Sequence, residues 1–427
     1  PVPSQSISYL LSGGVGPEEA TLVFRSTLEG KHLLRLGLAT DSVWMKEEEV
    51  TPDGTEDYIK KWKITGLLPN MQYRYGVWHV SSGASRQGRF TTFPSSPASY
   101  TFCFGSCMET GSESEIFDQI RLKSPLFFLQ GGDIHYEDID NNCEARFQDA
   151  YLRVFSSHRQ SELYSAVPLV YLWDDHDFGP NNADSSNPCK KESTRAYDSH
   201  IPHYPLVLNQ GEGPISQVFD AGRVAFVLTD LRSQKVRPVY DGCNKVSNGT
   251  NFGSEEHLTW FFKTLTDARD RGKVVAWYNS YPWINAPGGP NYKCAEKDNW
   301  GGYAEERERI ANFIRDQRIP LFILSGDAHM VAMDDGTNSD YATEGGAPIR
   351  VFQAAAIDRP GSYKGGPYSA GYSREAGQFG VVEVIDKGGQ EICFSWYGIN
   401  KAGQAVRNQE GEEIRIQFCL PVSEKQN

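Results

Sequence analysis

The chain has 427 residues, 39% of them hydrophobic, with 42 basic against 55 acidic residues and a formal net charge of -13. That length gives room for two or three domains with ample core. The acidic balance, without any basic run, argues against nucleic acid or an anionic membrane as main partner, and no apolar stretch approaches the roughly 18 residues that a membrane span needs.

Residues 1–96 predict a separate all-β unit. Ala20 to Arg25, Leu33 to Leu38, Tyr58 to Ile64 and Tyr73 to His79 are β-rich runs divided by Gly, Pro, Asp and Asn turns, with Gly88 to Phe93 as the closing strand and Pro94 to Pro97 as linker. The run Gly66-Leu67-Leu68-Pro69-Asn70-Met71-Gln72-Tyr73-Arg74-Tyr75 resembles the Gly-Leu-x-Pro-x-x-x-Tyr-x-Tyr signature of fibronectin type III-like domains. The resemblance implies that Tyr73 packs into the sandwich and that its hydroxyl bonds the backbone.

From Tyr100 onward strands alternate with helical patterns, which predicts an α/β domain over residues 97–427. Helices are expected at Ser114 to Lys123, Ser254 to Thr266 and Ala304 to Asp316. Further strands are expected at Val224 to Thr229, Val274 to Tyr278, Ile349 to Gln353, Gly380 to Val384 and Glu391 to Trp396.

Four strand ends share one grammar. Tyr100 to Phe104 runs into Gly105-Ser106-Cys107, and Phe127-Phe128-Leu129 runs through Gly131-Gly132 into Asp133-Ile134-His135-Tyr136. Val170 to Trp173 runs into Asp174-Asp175-His176-Asp177, and Leu321 to Leu324 into Ser325-Gly326-Asp327-Ala328-His329. Alone, the Gly-Asp turn fits a helix-capping aspartate equally well, and Cys107 an inert buried thiol. Together they differ: consecutive ionisable groups at the ends of buried strands repel and lose solvent unless a cation compensates them. Strand ends are also where α/β proteins build sites. Cys107, Asp133, Tyr136, Asp175, Asp327 and His329 mix thiolate, phenolate and imidazole, which suit a transition metal, with carboxylates that suit calcium, manganese or magnesium. Ferric iron best matches the phenolate, Asp133 is placed to bridge two cations, and a bound water would become a nucleophile. His135 reads as packing.

The eight cysteines lack the short paired spacings of a zinc ribbon. With Cys103 buried in its strand and Cys107 set aside, Cys143 with Cys189, Cys243 with Cys294 and Cys393 with Cys419 are the expected disulfides, although spacing alone leaves other pairings open. Disulfides and the sequon Asn248-Gly249-Thr250 point to a secreted or periplasmic protein.

The ordered set Gly-Ser-Cys, Gly-Gly-Asp-x-x-Tyr, Trp-Asp-Asp-His and Ser-Gly-Asp-x-His resembles the alkaline phosphatase D (PhoD-like) family of calcineurin-type metallophosphoesterases over roughly residues 100 to 400. The resemblance implies a layered metallophosphoesterase β-sandwich flanked by helices, preceded by a small β-sandwich. It also implies an iron ion (Fe3+) with calcium partners, and hydrolysis of phosphate monoesters and diesters. Carried over, Cys107, Asp133, Tyr136 and His329 match iron ligands and Asp175 and Asp327 ligands of the second metal, while His176 takes the place of a histidine that contacts the phosphate or its leaving group. Phe178-Gly179-Pro180 departs from the pattern and blurs which asparagine binds calcium; Asn181 is the one chosen. Arg195 and Arg359 are candidate phosphate clamps, with surface ion pairs as the bland alternative. Tyr281 to Tyr292 is a candidate pocket wall. The expected substrate is a small phosphate ester. The rival readings are a phosphodiesterase or phospholipase D-type activity at the same site and a binding protein with structural metals.

Overall fold

Two runs of parallel strands, apolar on both faces, organise the molecule in the computed structural model, which describes residues 7–54, 57–285 and 298–422. In the first sheet Tyr100–Gly105, Phe128–Gln130 and Leu169–Tyr171 lie side by side and parallel, with Gly105, Gln130 and Tyr171 in register at their carboxyl ends. In the second, Val224–Thr229, Val274–Asn279, Leu321–Ser325 and Val351–Ala354 are parallel neighbours. Such runs require cover on both sides. The sheets cover each other: Phe102 and Phe127 meet Phe226 edge to face at 5.1 and 5.0 Å, Phe322 meets Phe394 at 4.9 Å, and Phe352 stacks on Trp396 at 5.0 Å. Each aromatic pair contributes about 0.5–1.5 kcal/mol beyond its buried area.

Helices close the outer faces. Glu255–Asp270 and Ala304–Asp316 pack outside the second sheet, where Phe261 meets Trp277 at 4.8 Å and Phe262 stacks on Phe313 at 4.0 Å. Cys143–Ser156, His158–Ala166 and Lys190–His200 cover the first. The helix expected at Ser114 to Lys123 is shorter, Ile116–Leu122. The whole is mixed α/β, as the alternating pattern predicts, with its two large sheets stacked like a sandwich.

Among the described residues, the first sheet has nine strands and the second seven. The N-terminal segment is not confined to a sheet of its own: Ile7–Gly13, Glu19–Ser26 and Ile59–Thr65 extend the nine-stranded sheet, with Gly13 bridging Leu169. His32–Leu38, Lys46–Val50, Gln72–His79 and Ser85–Thr91 form a separate four-stranded sheet. Tyr73 is fully buried and its hydroxyl accepts the Leu68 N–H at 2.9 Å, the contact expected of that tyrosine. Tyr75 donates to the Ser165 carbonyl at 3.0 Å and fastens this sheet to the helix below.

Cys143–Cys189 and Cys393–Cys419 are disulfides, while Cys103 and Cys107 are free and buried. Cys294, the expected partner of Cys243, lies outside the described residues. The helix Cys143–Ser156 begins soon after the turn bearing Asp133 and Tyr136, and Lys190–His200 soon after the loop bearing Asp175, so the first disulfide joins the segments that follow these two turns. Among the described residues, no helix is long and apolar enough to cross a membrane.

Candidate metal centre and active site

The carboxyl ends of both parallel runs open onto one cluster. Gly105 leads to Cys107, Gln130 to Asp133 and Tyr171 to Asp174 and Asp175; from the second sheet Ser325 leads to Asp327 and His329. The turns interlock: Cys107 N–H donates to the Gly132 carbonyl at 3.2 Å, Met108 N–H to that of Asp133 at 3.0 Å, and Asp327 N–H crosses to Ser106 Oγ at 3.2 Å. Cys107, Asp133, Asp327 and His329 all sit at positive φ, between 49° and 61°. Four non-glycine residues held in this sparsely populated region at one place mark a site whose geometry the surroundings impose.

Two glycines let the second turn pass. A Cβ on Gly131 would fall 1.9 Å from Tyr278 Oη, and one on Gly132, whose φ is 98°, would fall 2.5 Å from Asp174 Cβ and 2.7 Å from its backbone nitrogen. Gly132→Ala is therefore expected to lower stability by about 1–3 kcal/mol, read as a reduced thermal unfolding midpoint; an unchanged midpoint would show that the turn has room.

Three overlapping groups could each hold a cation: Cys107, Asp133 and His329; Asp133, Asp175 and His176; and Asp174, Asp175 and Asp327, each with ligand atoms within 4.8 Å of one another. Asp133 belongs to the first two and Asp175 to the last two. Tyr136 Oη donates to Asp133 Oδ2 at 2.7 Å and lies 2.9 Å from His329 Nε2, and Cys107 Sγ is 3.5 Å from the same Asp133 oxygen. The donor set fits a metal. Among the described residues, Asp174 Oδ2, Asp175 Oδ1 and Asp327 Oδ2 are buried without a hydrogen-bond partner, a costly state that a cation relieves.

Electrostatics agree. Burial, with the Asp175 charge beside it, pushes the Asp133 carboxyl up to about 8. Burial raises the Cys107 thiol well above its ordinary value, and Asp133 and Asp327 push it further. Against burial, which raises it, Arg232 and His176 hold Asp175 below the usual carboxylate range. His176 Nδ1 lies 2.6 Å from Asp138 Oδ1; against burial, which lowers it, Asp133, Asp175 and Asp138 raise this imidazole to about 9. Its ring lies against that of Tyr136, tilted by 36° with centroids 4.1 Å apart. Burial lowers His329, whose Nδ1 is fixed 2.7 Å from the Pro360 carbonyl.

The remaining sequence candidates divide. Arg359 reaches the site, its guanidinium 4.0 Å from the Tyr136 ring centroid and paired with Glu109. Arg195 is not brought to the cluster: it lies on the exposed face of Lys190–His200 and pairs with Glu144 at 3.5 Å and Glu192 at 3.6 Å. Asn181 is exposed on its turn, and it is the backbone N–H of Asn182 that donates to Asp175 Oδ2, at 2.5 Å. Tyr281 is buried under the site, with Arg232 over its ring at 4.9 Å; the candidate wall beyond 285 lies outside the described residues.

Sequence reasoning missed several residues here. Asp174 joins one cation group and pairs with buried Arg232, which also meets Asp298 at 2.5 Å and Asp175 at 3.5 Å. Lys364 Nζ rests 2.6 Å from Asp327 Oδ1. Arg232 follows the strand Val224–Thr229 as Asp133 follows its own, and that repeated grammar was the available signal. Among the described residues, buried His135 finds no hydrogen-bond partner for either ring nitrogen, and it packs edge-on to Tyr151 at 5.7 Å.

Comparison with known proteins places the chain in a family. Residues 102–370 match the family model described as PhoD-like phosphatase. Alkaline phosphatase D of Bacillus subtilis (strain 168) is 26% identical over 309 residues, covering 62% of this chain and 52% of that protein, so the match spans about half of the relative's length. The solved structure described as "Structure of PhoD" superposes with a TM-score of 0.70 at 16% identity, covering 97% of this chain and 95% of that one, a likeness of fold. With the family match extending over more than half of its residues, this chain belongs to the PhoD-like phosphatase family.

Proposed function

We propose that the chain is a metal-dependent phosphoesterase that hydrolyses small phosphate esters at this cluster. The observation that carries the reading is the convergence of three buried carboxylate oxygens that find no hydrogen bond among the described residues with a buried thiol, a phenol and an imidazole at one set of strand ends. In this reading Cys107, Asp133, Tyr136 and His329 would hold ferric iron, and Asp175 and Asp327, with Asp174, would hold calcium. Bound there, the metals supply charge neutralisation at the phosphoryl oxygens and acidify water.

The chain's own residues do the rest. Asp138 holds His176 by Nδ1, so that Nε2 faces the cluster, 3.9 Å from Asp175 Oδ2, and can give a proton to the departing alkoxide. Arg359, braced on the Tyr136 face and on Glu109, contacts a phosphoryl oxygen. Buried Arg232 orients Asp174 and Asp175 from below.

The domain reading belongs with this proposal: 1–96 as a fibronectin type III-like β-sandwich, supported by the Leu68–Tyr73 bond, and 97–427 as a calcineurin-type catalytic domain. Secretion or export to the periplasm is supported by the two disulfides.

Elemental analysis of the purified chain together with hydrolysis of an aryl phosphate tests the reading. Iron is expected in the protein as isolated, and a chelator is expected to reduce the rate by at least about 100-fold. Cys107→Ser is expected to lose iron and at least about 10- to 100-fold in rate. Absence of iron, with no loss of rate in Cys107→Ser, sinks the assignment.

A further inference from the structure

The segment that follows the strand Val351–Ala354 crosses the mouth of the cluster and is held at several points. The Asp358 carboxylate accepts the Glu109 N–H at 2.7 Å and the Ser112 hydroxyl. His329 Nδ1 meets the Pro360 carbonyl at 2.7 Å, Ser362 N–H donates to the His329 carbonyl at 3.0 Å, and Ser362 Oγ donates to that of Ala328 at 2.9 Å. A loop tied at these points fixes where its own side chains go. It carries two cations, Arg359 above Tyr136 and Lys364 above Asp327, on two sides of one cluster.

These two differ from the cations beneath. Arg232 and Lys235 are almost fully buried and matched to Asp174, Asp175 and Asp298. Lys364 keeps 40% of its side chain exposed although its ammonium sits on a nearly buried carboxylate, and Arg359 keeps 28%. A lysine that only neutralised Asp327 would gain from being enclosed like Lys235. A half-open lysine on a flexible four-carbon stem can instead exchange Asp327 for an oxygen arriving from solvent.

Resting on the phosphoesterase reading above, we propose that Lys364 binds the substrate's phosphoryl group and makes the site prefer phosphate monoesters to diesters. At neutral pH a monoester carries close to two negative charges on three terminal oxygens, and a diester carries one charge on two. The mouth already offers one arginine. A second reachable cation is matched by the dianion's extra charge and third oxygen, whereas a diester puts an ester substituent where that oxygen would be. The ammonium therefore contributes a charge-assisted hydrogen bond to monoesters that diesters cannot fully use.

Steady-state kinetics on the metal-loaded full chain test this, with 4-nitrophenyl phosphate and bis(4-nitrophenyl) phosphate as substrates, inorganic phosphate as inhibitor, and metal content measured on every sample. Wild type is expected to favour the monoester in kcat/KM. Lys364→Gln is expected to lose about 10- to 100-fold on the monoester, the worth of one hydrogen bond to a charged group, and less than about threefold on the diester. Phosphate inhibition should weaken in parallel, metal content should stay at the wild-type level, and Lys364→Arg should keep most of the discrimination. An equal fall on both substrates, loss of metal in Lys364→Gln, or a wild-type preference for the diester overturns the proposal while leaving the phosphoesterase reading standing. A wild-type chain that is loaded with metal and hydrolyses neither ester overturns both.

Discussion

Asp133→Asn is expected to abolish turnover and yet make the metal-free protein more stable. The side chain sits where two candidate cation groups overlap, accepts the Tyr136 hydroxyl at 2.7 Å, and has the Cys107 thiol and the backbone N–H of His176 at 3.5 and 3.4 Å. An amide keeps the shape but loses the charge that two cations would share. Activity should fall at least about a thousandfold, the scale of losing preorganised charge stabilisation, and elemental analysis should find less of both metals. Stability moves the other way because the carboxylate is fully buried beside Asp175, and its proton is held up to about 8 instead of 3.8. Between those two pH values the unfolded chain has released this proton and the folded chain has kept it. Wild-type metal-free protein should therefore lose stability as pH rises through that window, and Asp133→Asn should lose less. The gain near neutral pH is expected at roughly 1–3 kcal/mol. Calorimetry on the metal-free pair decides it: a variant less stable than wild type at pH 7 would mean that Asp133 is a packing residue and not a strained ligand.

The contrast between Asp133 and Arg232 shows what can be read from sequence here. Asp133, Asp175, Asp327 and Cys107 lie within four residues of a continuous apolar strand, so the strand supplies the position and the side chain the chemistry. The parallel registers that align Gly105, Gln130 and Tyr171 turn those separate strand ends into one place. Other features depend on the tertiary fold. Arg195 and Arg359 looked alike as loop-borne cations, but one lies on a helix face opposite Glu144 and Glu192 while the other is drawn over Tyr136. Lys364 stands in a Gly- and Tyr-rich segment with no periodicity, and only the ties at Pro360 and Ser362 deliver it to Asp327. Ile7–Gly13 carries no local mark that it will extend the catalytic sheet, because that assignment rests on one long-range bridge to Leu169. The helix Cys143–Ser156, not among the helices expected, does carry the local pattern: Phe147, Ala150, Tyr151, Val154 and Phe155 recur at helical spacing and all are buried.

Arg232→Met should be the most destabilising single change in the catalytic half, at about 3–5 kcal/mol in the metal-free protein. The guanidinium is fully buried. It pairs with Asp174 through Nε, with Asp298 through one terminal nitrogen at 2.5 Å and with Asp175 through the other at 3.5 Å. Methionine fills much the same volume, so the cost isolates the charge. Asp298 would keep Lys235 at 2.9 Å, but Asp174, already raised by burial, would lose its cation altogether. Arg232→Lys should rescue little, because a point charge cannot span three carboxylates that the planar fork reaches from one centre. Removing the stranded acid should rescue more, so Arg232→Met with Asp174→Asn is expected to recover part of the loss, a coupling that a double-mutant cycle reads directly. Added calcium should also recover part of it, since a cation among Asp174, Asp175 and Asp327 replaces the missing charge from the opposite side. If calcium stabilises wild type and Arg232→Met equally, Arg232 and the cation site are not coupled, and Arg232 braces the sheet ends without setting the charge of the site.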